Sequence, residues 1–133
     1  MEKSIKINIG SGPQGKPDWV NLDWGMLPIL SKIPFSLSLL TALRVLPKSY
    51  NQPWQSNPRL CDCRRCLPFK SESVDYIYSS HFVEHLMRYQ ALDLFNECKR
   101  ILKPEGVMRI SVPDLKIFTE KYLSRDLKFF KGI

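Results

Sequence analysis

Residues 5–23 read IKINIGSGPQGKPDWVNLD, and this stretch decides the fold. Its first part alternates isoleucine with polar residues, as a short strand does. Three glycines follow in one turn: Gly10, Gly12 and Gly15. Residues 19–22 predict a second strand that ends on the carboxylate of Asp23. In an open parallel sheet, a glycine turn admits a ligand close to the backbone, and such an acid accepts hydrogen bonds from ribose hydroxyls. The stretch therefore predicts a nucleoside site, although the full G-x-G-x-x-G spacing is absent.

The composition is that of one ordinary globular domain. The chain has 133 residues, of which 44% are apolar and 25% charged, and its net charge is +7. The basic residues are spread along the chain without interleaved aromatic residues, which favours a solvated basic face over a nucleic-acid site. No uncharged run approaches the ~20 residues that cross a bilayer. Residues 1–4 (MEKS) do not resemble an export signal. We therefore expect a cytoplasmic protein with reduced cysteines.

Strands and helices alternate along the rest of the chain. Residues 74–78 (VDYIY) predict a buried strand. Apolar side chains recur every three or four positions over 82–102, which predicts an amphipathic helix. The turn 103–106 (KPEG) should end that helix. A strand over 107–112 follows, and Asp114 is placed to cap a last helix. This order predicts an α/β fold: a Rossmann-like, five-stranded parallel sheet of order 3-2-1-4-5 with flanking helices.

The segment 25–58 is the irregular part of this single domain, which we expect to comprise residues 1–133. Five of the ten prolines lie in this segment. They predict one or two short helices over 26–46 and a loop after them. Residues 59–63 then predict a short third strand. The apolar stretch 33–43 could lie in a membrane interface, but we favour a lid over the site or packing on the sheet.

Together these elements resemble the class I S-adenosylmethionine-dependent methyltransferases, and in particular their small type 11 group. Three ordered motifs carry the resemblance. The first joins the glycine turn (8–13) to the acidic strand end (19–23). The second surrounds the fourth strand (67–86), and the third leads from a helix into the fifth strand (100–114). The resemblance implies transfer of a methyl group from S-adenosylmethionine to an acceptor. It does not identify the acceptor, for which a small molecule or a glycan is a candidate.

The resemblance also implies a role for each residue of the first motif. Gly10, Ser11 and Gly12 would pass close to the methionine part of the cofactor. Asp23 would hold the ribose hydroxyls, which suits a carboxylate because it can accept two hydrogen bonds. Much of such catalysis is positioning of the reacting atoms, so the sequence reveals no obligatory catalytic side chain.

Further roles are implied at the ends of the third and fourth strands. Asp62 and the backbone of Cys63 would contact the adenine edge. Ser79 and Ser80 would line the floor beneath the sulfonium. His81, at the tip of the fourth strand, is the candidate catalytic residue, as a proton acceptor or as a wall of the cofactor pocket.

Two features depart from the family pattern. Only residues 10–18 separate the first two strands, which is too short for a helical crossover, so we expect a turn there. The chain also ends soon after the helix that follows the fifth strand. We therefore expect the family's last two strands to have no counterpart here, which would leave an apolar sheet edge. Leu127, Phe129 and Phe130 could cover this edge, or a second copy could do so in a homo-oligomer. Alternatively, the chain is a truncated, non-catalytic remnant that binds the nucleoside cofactor or a partner subunit.

Three other patterns leave alternatives open. His81, Glu84 and His85 fit the H-x-x-E-H pattern of zinc peptidases, but packing at a helix start is the preferred interpretation. Four cysteines could hold zinc if the fold brings them together: Cys61, Cys63, Cys66 and Cys98. Their spacing is not that of paired C-x-x-C knuckles, and we expect no metal. A nicotinamide dehydrogenase would also use a glycine turn, but here no helix N-terminus follows to receive a pyrophosphate.

Overall fold

The computed structural model describes residues 4–51, 53–54 and 57–131. It confirms the predicted parallel sheet, in the order β3-β2-β1-β4-β5. The strands are β1 (Lys6–Ile9), β2 (Val20–Asp23), β3 (Arg59–Leu60), β4 (Val74–Ser80) and β5 (Leu102–Ser111). The helices are α1 (Met26–Leu30), α2 (Ser36–Ala42), α3 (Arg88–Ile101), α4 (Leu115–Leu123) and α5 (Leu127–Lys131). The strand order reverses between β1 and β4, and α/β sheets bind ligands at such a switch point.

The hydrophobic core lies where the central strands meet α3. Ile7 of β1 and Ile77 of β4 are buried there. Leu94, Cys98 and Ile101 form the buried face of α3 because they recur at the spacing of helical turns. This packing fixes the central strands and therefore the loops at their carboxyl ends.

The connection between β1 and β2 is a turn without a helix, as its length predicts. The side chain of Asn21 fastens it. Asn21 Oδ1 accepts hydrogen bonds from Asn8 Nδ2 (2.9 Å) and from the Lys16 N–H (2.8 Å), and Asn21 Nδ2 donates to the Lys16 carbonyl (2.9 Å). The Lys16 ammonium also lies 4.0 Å from the centre of the Tyr78 ring, a favourable cation–π distance. These contacts replace the packing that a crossover helix would supply.

The helix predicted over 82–102 is wrong at its start. Val83–His85 form one 3-10 turn, and α3 begins only at Arg88. The Met87 N–H donates to Gln90 Oε1 (2.9 Å), which caps the helix. The apolar period extends further because Phe82 packs on the core from outside the helix.

The helix ends where the sequence predicts, since α3 stops at Ile101 and β5 begins directly after it. Val74 pairs with Leu102, whereas Tyr76 pairs with Val107. Residues 103–106 therefore bulge out of the strand ladder. The segment is part of β5, whereas the sequence predicts a turn before a strand over 107–112.

The segment 25–58 contains the two short helices that the sequence predicts. Gln52, Gln55 and Ser56 of the predicted loop lie outside the described residues. The third strand is shorter than the prediction of 59–63, because β3 contains only two residues. Residues 61–63 leave the strand and enter a turn beside the end of β2, which brings their side chains to the candidate site.

The C-terminal part confirms that Asp114 caps the last helix. It does not confirm that the aromatic tail covers the edge of β5. Asp114 Oδ1 accepts from the Lys116 N–H (2.9 Å) at the start of α4. The Phe129 ring packs edge-on against Phe118 of α4, with ring centres 5.4 Å apart. Val107 is nevertheless 55% exposed. The aromatic tail therefore packs on α4 and leaves apolar side chains of β5 accessible.

Candidate functional site

A cleft of about 410 Å³ opens at the carboxyl ends of β1, β2 and β3. Its volume lies within the range of small-molecule sites. Four of the residues predicted from the sequence line it: Gly10, Asp23, Asp62 and Cys63. They come from three separate segments, and the parallel strands bring them together because the strands end at one edge of the sheet.

Asp23 organises the first wall of this cleft. Its Oδ2 accepts a hydrogen bond from the Gly12 N–H (2.7 Å), and its Oδ1 accepts one from the Trp24 N–H (2.7 Å). The Gly10 N–H donates to the Leu22 carbonyl (3.0 Å), which ties the same turn to β2. A carboxylate offers about four acceptor positions. Asp23 can therefore hold the turn and still accept hydrogen bonds from a ligand.

The glycine turn has two positions with different demands. Gly10 has φ +66°, and a Cβ there would lie 2.6 Å from the Phe82 ring, so only glycine fits. Gly12 has φ +60°, but a Cβ there would meet no atom within 4 Å. Space is therefore open beside Gly12. Neither Ser11 nor Gly12 lines the cleft itself.

The second wall carries an ion pair between residues two positions apart. Asp62 accepts hydrogen bonds from Arg64 Nε (2.7 Å) and Arg64 Nη2 (2.9 Å). These hydrogen bonds hold the pKa of the Asp62 carboxyl below its ordinary value. The pairing fixes both side chains beside the cleft, where the flat guanidinium and the carboxylate can contact a planar ligand.

The thiols of this wall differ strongly in acidity. A hydrogen bond from the Cys63 thiol lowers the pKa of Cys61 to about 7, and the charge of Arg59 acts in the same direction. The same hydrogen bond, together with burial, raises the pKa of Cys63. Burial in the core raises the pKa of Cys98 to about 12. Cys61 is therefore the thiol of this group that ionises near neutral pH.

The residues predicted at the end of β4 do not line the cleft. Ser79 is 1% exposed, and its Oγ has no hydrogen-bond partner among the described residues. Ser80 is half-buried in the sheet. His81 has φ +52° and an exposed side chain, and its Nδ1 lies 3.3 Å from Glu84 Oε1. His85, from the following 3-10 turn, lines the cleft.

Several lining residues were not predicted: Trp24, Gly25, Arg64, Phe82, His85 and Leu86. Trp24 follows directly after the acidic strand end, so its position could have been read from the sequence. Phe82 and His85 could not, because a continuous helix over 82–102 would have placed them on a packing face. The 3-10 turn directs them to the cleft.

The structure gives no support to either zinc alternative. Within the ranges that the structure describes, no three His, Cys, Asp or Glu side chains converge as metal ligands would. His81 pairs with Glu84, while His85 lies at the cleft.

Comparison with known proteins places the fold among methyltransferases. A family model described as a methyltransferase domain, of type 11, matches residues 39–110. This match runs from α2 into β5, so it does not include the glycine turn or Asp23. No match was found among the curated proteins.

Solved structures share the fold at low sequence identity. The PH0226 protein from Pyrococcus horikoshii OT3 is 18% identical with a TM-score of 0.59, over 92% of this chain and 55% of that one. A candidate methyltransferase in complex with the Trm112 methyltransferase activator of Haloferax volcanii is 18% identical with a TM-score of 0.54, over 93% of this chain and 52% of that one. A candidate S-adenosylmethionine-dependent methyltransferase from Methanococcus maripaludis is 20% identical with a TM-score of 0.49. The match covers 98% of this chain and 60% of that one.

The chain thus spans between 52% and 60% of the length of these structures. The structural likeness supports the shared fold, and the family model supplies the assignment. Because that model matches more than half of the sequence, the chain belongs to the type 11 methyltransferase domain family.

Proposed function

We propose that the cleft binds S-adenosylmethionine and that the protein transfers its methyl group to an acceptor. One observation carries this proposal. In a member of a methyltransferase family, the acid that ends β2 is hydrogen-bonded to the glycine turn after β1 and lines a cleft of suitable size. When bound, the cofactor would supply a methyl group on a positively charged sulfur.

The side chains at the cleft fit this cofactor. Asp23 has acceptor capacity left for the ribose hydroxyls. Phe82 and Leu86 provide an apolar wall on which an adenine ring can lie. The carboxylate of Asp23 is favourable for a nearby cation, whereas the charge of Asp62 is compensated by Arg64. The open space beside Gly12 leaves room for the methionine part.

The buried hydroxyl of Ser79 gives further support. A buried polar atom without a partner is costly, and such atoms are often satisfied by a ligand or an ordered water. Ser79 pairs with Ile9 across the sheet, directly before the glycine turn. We therefore keep Ser79 and Ser80 as proposed contacts beneath the cofactor. Ser11 stays a proposed contact as part of the same turn.

Two histidines are candidates for the residue that takes a proton from the substrate group to be methylated. His81 is the residue predicted from the sequence, and His85 is the one that lines the cleft. The variants His81→Gln and His85→Gln distinguish them. Loss of methyl transfer with retained cofactor binding in only one variant would assign the role, because a proton acceptor acts on the reaction more than on cofactor binding.

Isothermal titration calorimetry with S-adenosylmethionine and S-adenosylhomocysteine tests the cofactor directly. We expect one molecule of either nucleoside to bind per chain. Methyl transfer is then measured as S-adenosylhomocysteine released in the presence of small-molecule and glycan acceptors. If protein that is folded by circular dichroism binds neither nucleoside, the proposal is wrong.

A second candidate is a domain that binds the cofactor but depends on a partner for turnover. The C-terminal helices form an apolar concavity lined by Tyr122, Leu123, Leu127 and Phe130. One of the matched structures is a complex with a methyltransferase activator. Sedimentation velocity would show whether a second copy covers this surface or the β5 edge. Binding without turnover by a monomer would favour this candidate.

A further inference from the structure

The segment 25–58 exposes an apolar stripe on α2. Leu37 and Thr41 face the protein and are buried. Phe35, Leu39 and Leu43 follow one another at intervals of four and therefore share the opposite face. Their exposed fractions are 86%, 58% and 63%. A surface helix normally presents polar side chains on this face, so the stripe requires an explanation.

The rest of the segment adds to the same apolar character. Four more exposed apolar side chains lie before and after α2: Met26, Ile29, Ile33 and Val45. Single exposed apolar residues are ordinary. A segment in which they recur from one helix to the next is typical of a surface that contacts a partner or a membrane.

The charge of this segment is equally one-sided. All 13 acidic residues of the protein lie outside residues 24–61. Lys32, Arg44 and Lys48 are exposed in this part. Lys32 Nζ donates to Asn57 Oδ1 (2.7 Å), a neutral partner that leaves its charge uncompensated. The exposed charged side chains around the apolar stripe are therefore all basic. Such a surface is complementary to one that is both anionic and apolar.

We propose that the insertion surface, formed by Phe35, Leu39 and Leu43 with Lys32 and Lys48, binds an anionic lipid membrane. The apolar side chains would enter the boundary of the acyl chains, and the lysines would lie near the lipid phosphates. The protein would lie on the bilayer. None of the helices in the described ranges has the length and hydropathy needed to cross it.

A second copy of the chain fits this surface less well. Two insertion surfaces brought together would place their cations near one another without any acidic residue from the same segment, and the whole chain carries a net charge of +7. An anionic bilayer offers apolar burial and charge compensation at once. The observations therefore favour the membrane.

The position of the insertion surface relates it to the cleft. Trp24 and Gly25 line the cleft and are followed directly by α1. A membrane-bound insertion would hold the mouth of the cleft near the lipid surface, where amphiphilic acceptors are found. This last consequence rests on the proposed function, whereas lipid binding does not.

Vesicle flotation tests lipid binding independently of catalysis. The full chain is mixed with vesicles of phosphatidylcholine alone or of phosphatidylcholine with phosphatidylglycerol. We expect flotation with the anionic vesicles, little with the neutral ones, and a decrease as salt is added. No flotation with anionic vesicles would overturn the proposal.

Paired variants separate this surface from general basic character. Phe35→Asn with Leu39→Gln, and separately Lys32→Glu with Lys48→Glu, should each weaken partitioning about tenfold, because apolar burial and charge both contribute. Circular dichroism would check that the folded state is kept, as expected for exposed positions.

The C-terminal helices offer matched controls with exposed side chains of the same types. Leu115→Gln with Ile117→Gln, and Lys116→Glu with Lys128→Glu, should leave partitioning nearly unchanged. Equal losses in the control variants would mean nonspecific attraction and would contradict the proposal. The proposal would also be overturned if the wild-type protein formed a homo-oligomer without binding lipid, and if the variant with Phe35→Asn and Leu39→Gln were a monomer.

Discussion

The carboxylate of Asp23 and the backbone N–H of Gly12 are joined by a hydrogen bond of 2.7 Å across the ends of β1 and β2. The acid therefore shapes the glycine turn before any ligand arrives. Preorganisation of this kind lowers the ordering cost of binding. A role for Asp23 in the cofactor site would thus include holding the turn as well as contacting the ribose.

The variant Asp23→Asn should show both effects. An amide keeps one acceptor oxygen but loses the charge, so the Gly12 and Trp24 N–H groups can no longer both be satisfied as before. We expect a loss of about 1–2 kcal/mol in the free energy of unfolding and about tenfold weaker binding of S-adenosylhomocysteine, roughly 1.4 kcal/mol. Urea unfolding and calorimetry measure the two. Asp18→Asn, at an exposed position of the same loop, should change neither.

The two glycines of the turn should respond differently to alanine. Both have positive φ, which costs a non-glycine residue about 1–2 kcal/mol. Gly10→Ala adds an overlap with the Phe82 ring, which at a packed site costs about 1–3 kcal/mol more. We expect Gly10→Ala to lower the free energy of unfolding clearly more than Gly12→Ala. Urea unfolding of both variants measures the difference.

A third variant checks the cause of that difference. Shortening Phe82 to alanine should recover part of the stability in the Gly10→Ala background, because it removes the ring atoms that lie 2.6 Å from the added Cβ. In the wild-type background, the same change should only lose packing. Equal effects of Phe82→Ala in the two backgrounds would show that the ring is not the obstacle.

Alkylation of Cys61 should report on occupancy of the cleft. Thiolate is the reactive form, and the pKa of Cys61 is lowered to about 7, so its reaction with iodoacetamide should rise steeply between about pH 6 and 8. Cys98, with a pKa raised to about 12, should react only on unfolding. S-adenosylhomocysteine should slow alkylation at Cys61. Peptide mass spectrometry measures each site.

Cys66 provides the internal control for that measurement. It is exposed but lies outside the cleft, beside α3. Protection of Cys61 and Cys66 to the same extent would point to a global effect. It would count against binding of the nucleoside in the cleft.

Acid should weaken the attachment of the 66–71 loop to α3. Glu97 accepts hydrogen bonds from Arg100 (2.8 Å) and from the Leu67 N–H (2.8 Å), and the pairing with Arg100 lowers the pKa of Glu97 from 4.5 to about 2. A carboxyl whose pKa is lower in the folded chain than in the unfolded chain stabilises the fold at any pH above the unfolded-state pKa. This contribution is lost as the pH falls through the folded-state pKa.

Stability should therefore decrease between about pH 4.5 and 2, and Glu97→Gln should flatten this decrease by about 1–2 kcal/mol. Urea unfolding across this pH range measures the slope. Glu120→Gln removes a more exposed ion pair with Lys116 and should leave the slope nearly unchanged. An identical pH profile for Glu97→Gln and the wild type would contradict the assignment.

The sheet was predictable because its signals are local and agree with one another. Ile7, Ile77 and the glycine turn each indicate the same parallel arrangement, and the strand order is the one expected for a Rossmann-like fold. The end of α3 was predictable, but its beginning was not. Phe82 keeps the helical period although it packs beside a 3-10 turn, and the segment 103–106, predicted as a turn, is a bulge of β5.

The candidate site was predictable only in part, for a similar reason. Residues at strand ends, such as Asp23 and Asp62, follow from the topology. His85 and Arg64 reach the cleft through turns whose direction depends on tertiary packing. A sequence pattern contains no signal for that direction.

The connection between β1 and β2 has a consequence for the speed of ligand exchange. Hydrogen bonds to Asn21, Asp23 and the Leu22 carbonyl hold this loop in place of a crossover helix, so the loop can swing outward when these local bonds break. Such local openings require far less free energy than global unfolding. A nucleoside bound as we propose could then exchange through the β1–β2 side while the sheet and its core stay intact.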